Sequence, residues 1–223
     1  MWWCCCRCLA VSVFFFDQYP LTAGISCAGT TWAGMHRFYG ALWQRMSSRY
    51  WRRLLPQEHF FVRTIFGDVM GAWLAGHVRL GQRRLGDTRR ALSLNGGWLS
   101  FPAAMFEAGG MRQSLRLSDP VVAGIVAHEL LHVLQRRQKQ PVTRQALLLQ
   151  CQWLLQGRDP YSYSNCSSAA GQLRQFWRAS VEQQGQMWQD CVQAQVAGQP
   201  LASHALLVVA VRAGRLRQRM GKR

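Results

Sequence analysis

Five consecutive residues carry a spacing suited to chemistry: His128-Glu129-Leu130-Leu131-His132, inside an apolar run from Val121 to Leu134. On a helix, residues four apart share one face, so both imidazoles can reach one metal ion while Glu129 stands beside them. Two nitrogen ligands and a general base are what activation of a water requires: the ion lowers the water's pKa and the carboxylate takes its proton. The competing reading of the pattern is a helix with two merely hydrogen-bonded histidines.

A catalytic zinc usually has three protein ligands and one open position. A metzincin would continue with glycine and histidine, but Gln135 and Gln138 occupy those places, which excludes that class. Downstream of the motif, Asp159, Glu182, Asp190 and His204 are the candidate oxygen and nitrogen donors. Glu182 is preferred, because Ala179 and Gly185 flank it at three-residue offsets and small residues let two helices approach; Asp159 comes next. Glu182 is expected midway along a long helix from Gly171 to Ala197. Gln135, one turn beyond His132, is expected either behind the ligand or in solvent.

The surrounding elements follow from periodicity and punctuation. Residues Met35 to Leu55 read as a basic amphipathic helix ending before Pro56, and Gln57 to Ala75 as a second helix. His77 to Leu80 is a short strand candidate. Arg90 to Phe101 is the most strand-like stretch, with Asn95-Gly96 as its turn or bulge; it is either an ordinary core strand or an edge strand beside the HExxH helix, as zincins commonly have. Pro102 to Leu117 reads as a loop with one irregular helical piece. Ser118-Asp119-Pro120 supplies a helix start, and Pro141 closes that helix. Thr143 to Leu155, Gly171 to Ala197 and Leu201 to Ala213 are further helices, and the chain ends in a basic tail. Strands followed by several helices indicate an α+β domain.

Composition narrows the partners. The chain of 223 residues has a formal net charge of +17, nearly all from arginine, since Lys139 and Lys222 are its only lysines. Such a charge attracts polyanions and acidic proteins, but the arginines are scattered over many segments, so a nucleic-acid partner is disfavoured. Of the eight cysteines, four (Cys4, Cys5, Cys6 and Cys8) crowd the start, where adjacent residues do not bridge; the set reads as mainly reduced thiols. No apolar run approaches about 18 residues, so no transmembrane span is expected. The run from Leu9 to Phe16 makes a poor signal peptide, and Met35 and Met46 are alternative starts.

The stretch Ile125 to Gln135 resembles the metal helix of a family of bacterial HExxH zinc metallopeptidase-like proteins related to the extracellular contractile injection system core domain, of VgrG-related or Rhs-associated type. Three other stretches agree: Phe61 to Asp68 with its Phe-Gly-Asp, the strand region Arg90 to Phe101, and Tyr161-x-Tyr163 followed by Val181-Glu182-Gln183-Gln184. The resemblance covers about residues 54 to 200. Where the family often has alanine after its Glu-Gln-Gln, this chain has Gly185.

The resemblance implies a mainly helical, zincin-like α+β domain with a small sheet beside the HExxH helix, zinc on His128, His132 and Glu182, and a protein or peptide substrate. The expected organisation is an N-terminal arm (1–50), the metallopeptidase domain (51–200) and a C-terminal helix and tail (201–223). Glu129 is the expected base. Tyr161 or Tyr163 is the candidate donor to the oxyanion of a peptide-bond hydrolysis. The alternative is a non-catalytic metal-binding cargo or assembly component of a contractile, type VI-like secretion system. Either would reside in the bacterial cytoplasm or leave it through that apparatus.

Overall fold

The computed structural model describes residues 51–83, 91–94, 97–156, 159–164 and 166–216. The expected N-terminal arm and most of the expected helix from Met35 to Leu55 lie outside them. The last residues of that expected helix are not helical, because Trp51–Arg52 forms a strand, β1. Arg52 is held there by side-chain bonds that a helix would not allow. Its guanidinium forks onto the buried carboxylate of Glu58 at 2.6 and 2.7 Å and donates to the carbonyls of Met111 and Gln113.

The same Glu58 starts the first helix, α1 (Pro56–His77), by accepting the Leu55 N–H at 2.8 Å, while Pro56 supplies a first-turn residue that needs no hydrogen-bond acceptor. It also accepts the Leu115 N–H at 3.0 Å, which ties the helix start to the loop before the metal motif. Gly67 interrupts α1 with a φ of 76°, a conformation natural to glycine. At this kink Arg212 donates to the carbonyls of Thr64 and Ile65, which the break removes from the helical ladder.

Strands β2 (Arg79–Gln82), β3 (Leu92–Leu94) and β4 (Trp98–Phe101) complete a four-stranded mixed sheet in the order β1-β2-β4-β3. The β1–β2 and β3–β4 pairs are antiparallel and β2–β4 is parallel. The expected strand at His77 to Leu80 therefore begins two residues later. The expected strand region Arg90 to Phe101 is a hairpin whose first arm, β3, lies at the sheet edge. Its Asn95-Gly96 turn falls outside the described residues. The loop that follows contains two 3-10 turns, Ala103–Met105 and Gly110–Arg112, and a bridge between Phe106 and Leu115.

Helix α2 (Pro120–Arg137) carries the His128–His132 motif and begins as its sequence indicates, with Asp119 accepting the N–H groups of Val121 and Val122. It ends before Pro141 is reached, because Lys139 takes a left-handed conformation with φ 58°. Helix α3 (Val142–Gln156) follows.

The expected single helix from Gly171 to Ala197 is instead two, α4 (Ala169–Arg178) and α5 (Val181–Val196). Ser180 makes the break. Its hydroxyl accepts the Gln183 N–H while the Gln183 side chain accepts the Ser180 N–H, a reciprocal cap that starts a new helix. The spacing Ser180-x-x-Gln183 was the signal for it.

Helix α6 (Ala205–Arg212), preceded by a 3-10 turn at Ala202–His204, packs on α1 and α4. Residues from the expected C-terminal unit, Leu207, Val211 and Leu216, sit in the same core as Phe66, Leu130, Phe176 and Trp188. The Phe66 and Trp188 rings meet at its centre, 5.5 Å apart. The fold is thus α+β and mainly helical, with one small mixed sheet. Among the described residues no helix is long and apolar enough to cross a membrane. The described cysteines, Cys151, Cys166 and Cys191, are free thiols, and burial pushes Cys191 up to about 12.

Candidate metal centre

The site lies where α2 and α5 run antiparallel in close contact. Gly124 faces Gln193 at one end of the pair and Gln135 faces Val181 at the other, with His128 against Gly185 between them. An ideal Cβ on Gly185 would lie 2.6 Å from His128 Nε2, so only glycine leaves the ring its place. Because α5 starts at Ser180, Glu182 stands in its first turn rather than at mid-helix, with its carboxylate at the end of α5 that meets the motif.

Three donor atoms converge there. His128 Nε2 and His132 Nε2 are 3.1 Å apart, and Glu182 Oε2 is 3.6 Å from each. Ligands about 2.0–2.1 Å from a tetrahedral zinc are separated by roughly 3.3–3.4 Å, so this triangle has the dimensions of a zinc coordination face. All three residues are buried, and among the described residues they form the one group of three or more His, Cys, Asp or Glu able to share an ion. The sequence preference for Glu182 agrees with this grouping. The runners-up are used elsewhere: Asp159 accepts the Tyr161 N–H at 3.0 Å, and Asp190 accepts from Tyr163 and Gln186. His204 is buried outside the group.

The chemistry of the donors agrees with a cation. His132 Nδ1 is 2.7 Å from Gln135 Oε1, an arrangement in which Nδ1–H donates and Nε2 keeps its lone pair for the ion. Gln135 is itself completely buried, and its amide donates to Gln184 Oε1 at 2.8 Å; the Gln184 amide donates in turn to the carbonyls of Phe176 and Leu216. Gln135 thus stands behind the ligand and not in solvent. Gln184, the outer support of His132, appeared in the sequence only as the last residue of the Glu-Gln-Gln stretch and was given no role there. For His128, no acceptor among the described residues reaches Nδ1.

Electrostatics mark the same point. Burial alone would raise the Glu182 pKa, but the His128 and His132 imidazoles, each 3.6 Å from its carboxylate, hold it well below the usual carboxylate range. Burial draws the His132 pKa down, and the Glu182 carboxylate, helped by Glu129 and Gln135, outweighs that and carries it above the ordinary value. A divalent ion would take over the role those protons play in the metal-free protein.

Two of the donors, His132 and Glu182, line a cleft of about 130 Å³. Glu129 and Arg136 of α2 line it together with Leu92 and Ser93 of β3, and Tyr161 enters from the loop before α4. The Tyr161 ring centroid is 6.2 Å from that of His128. Its loop is tied to the start of α5 by Gln183, which donates to the Ser162 carbonyl at 2.7 Å. Tyr163, the other tyrosine expected at the site, is not brought to the cleft: its hydroxyl donates to Asp190, two turns along α5 from Glu182, and burial and that carboxylate push its pKa up. Arg136 and Ser93 were not anticipated as cleft residues, since nothing local in the sequence brings β3 to the end of α2.

Comparison of the chain with protein-family models, with curated proteins and with solved structures finds no match. The reading of the site therefore rests on its own geometry.

Proposed function

We propose that this chain is a zinc-dependent peptidase. The observation that carries the reading is the convergence of His128, His132 and Glu182 on one point, at tetrahedral spacing, beside Glu129 in an open cleft. When bound there, zinc supplies Lewis acidity, which acidifies water and polarises a carbonyl. Glu129 accepts a proton from the attacking water and returns it to the leaving amine. Gln135 keeps His132 in the tautomer that presents Nε2, and Tyr161, which lines the same cleft, is the candidate donor to the oxygen on which charge develops. Glu129, a carboxylate that metal binding does not need, lines the cleft beside the candidate ligands, which favours catalysis over a structural metal site.

The family reading, a bacterial HExxH metallopeptidase tied to contractile injection systems, is proposed on the sequence motifs alone. A non-catalytic metal-binding component of such an apparatus is the rival. The test compares wild type with Glu129→Gln for zinc content and for cleavage of casein and a peptide library. Activity in the wild type that is lost in Glu129→Gln at equal zinc content supports the peptidase. Zinc bound by both with cleavage by neither overturns it in favour of the rival.

A further inference from the structure

The cleft beside the candidate metal contains a cation that the proposed hydrolysis does not use. Arg136 follows His132 by one helical turn, so it stands about 6 Å further along α2. Ser93 holds its guanidinium on both sides: Nη1 donates to the Ser93 hydroxyl and Nη2 to the Ser93 carbonyl at 2.8 Å. Two of the five guanidinium N–H donors are thereby used, and of the rest, Nε–H is buried without an acceptor among the described residues. With the edge between Nη1 and Nη2 spent on Ser93, one N–H remains on each of Nη1 and Nη2, held in a fixed direction that a flexible lysine would not keep for an anion.

Charge in the cleft points in the same direction. Burial depresses the Arg136 pKa while Glu129 and Glu182 raise it, which places both carboxylates within electrostatic reach of the guanidinium. With a divalent ion on the ligands, its two charges balance those of Glu129 and Glu182, and Arg136 leaves the cleft net positive. Arg136 also holds the Ser93 carbonyl of the edge strand, so at that position a peptide lying along β3 finds a cation in place of a backbone acceptor.

We propose that Arg136 anchors the substrate of this site by binding a carboxylate, making the substrate class an acidic peptide. The carboxylate is an Asp or Glu side chain, or a free C-terminus, within about two extended residues of the bond that is cut, the span that matches one helical turn. The proposal rests on the peptidase reading for its substrate, but its test needs no turnover.

The probes are four fluorescent hexapeptide pools, randomised among uncharged residues except at one position that carries Glu or Gln, each made with a free or an amidated C-terminus. Binding to the zinc-loaded Glu129→Gln chain is followed by anisotropy. The expected result is that a carboxylate-bearing pool binds roughly tenfold or more tighter than the neutral pool, and the Glu and free-terminus arms tell which carboxylate is read. Adding Arg136→Gln should bring that ratio to about one while zinc content stays unchanged. Should that variant fail to fold, Arg136→Lys decides: it should lose severalfold of the preference, since the fork geometry is gone. Equal binding of all four pools, including none, overturns the proposal. So does a preference that survives Arg136→Gln or stands undiminished in Arg136→Lys. If the wild type cleaves no peptide while the Arg136-dependent preference is present, the peptidase reading fails and the anion site stands. Cleavage without any acid preference has the reverse meaning.

Discussion

Gly185 faces His128 across the α2–α5 contact so closely that a Cβ on it would lie 2.6 Å from Nε2, the ring atom of the candidate metal site. The glycine is three residues after Glu182, so one short stretch of α5 both carries a candidate ligand and makes room for another. Gly185→Ala is expected to turn the His128 ring away while the helices stay paired. Zinc affinity should fall more than about a hundredfold, beyond the usual loss for an outer-sphere change. Competition with a zinc chelator measures the affinity, and circular dichroism of the metal-free protein checks that the fold persists.

The His132–Gln135–Gln184 chain predicts a smaller effect. Gln135→Leu keeps the volume but leaves His132 Nδ1–H without its acceptor and Gln184 Oε1 without its donor. Zinc affinity should fall about 10- to 100-fold. The metal-free protein should lose about 1–3 kcal/mol for the stranded buried groups. Chelator competition and urea unfolding report the two quantities separately.

The pH dependence of the metal-free protein follows from two opposite shifts. Glu182 has a depressed pKa, so its contribution to stability is present above the unfolded value and is lost as pH falls through the folded one. His132 has a raised pKa, so its contribution is full below the unfolded value and is lost as pH rises through the folded one. Both are complete between about pH 4.5 and 6.5, the ordinary carboxylate and imidazole values, and Tm of the metal-free protein should be highest there. Zinc competes with the His132 proton, so the gain in Tm on adding zinc should grow as pH rises from about 6 to about 8. A zinc-induced gain that shrinks over this range would contradict the assignment of His132 as a ligand.

Glu58 predicts a purely structural effect. Its buried carboxylate joins β1, the start of α1 and the loop at Leu115 through Arg52 and two backbone N–H groups. Glu58→Ala strands the half-buried Arg52 guanidinium and both donors, and should cost about 3–5 kcal/mol in urea unfolding. Zinc affinity of the protein that remains folded should be unchanged, because none of these groups touches the metal ligands.

What the sequence determined by itself is whatever depends on neighbours along the chain. His128, Glu129 and His132 share a helix face through the helical repeat alone, and Asp119 and Pro120 start that helix by local capping. The strands around Asn95-Gly96 and the helices from Pro56 and Val142 are local patterns of the same kind. Glu182 was reachable in sequence because few carboxylates follow the motif and small residues flank it. Its place in the first turn of a separate helix was written in Ser180 and Gln183, but a continuous apolar periodicity across Ala179 concealed it.

Only the tertiary structure could decide the rest. Whether Tyr161 or Tyr163 reaches the cleft depends on which of them Asp190 engages from another helix. Gln135 becomes the support of His132 only because α5 buries it. Arg136 becomes a cleft residue because the sheet edge brings Ser93 against the end of α2. These are contacts between elements far apart in the chain, made when antiparallel packing sets one helix on another. No periodicity or spacing within a single segment encodes them.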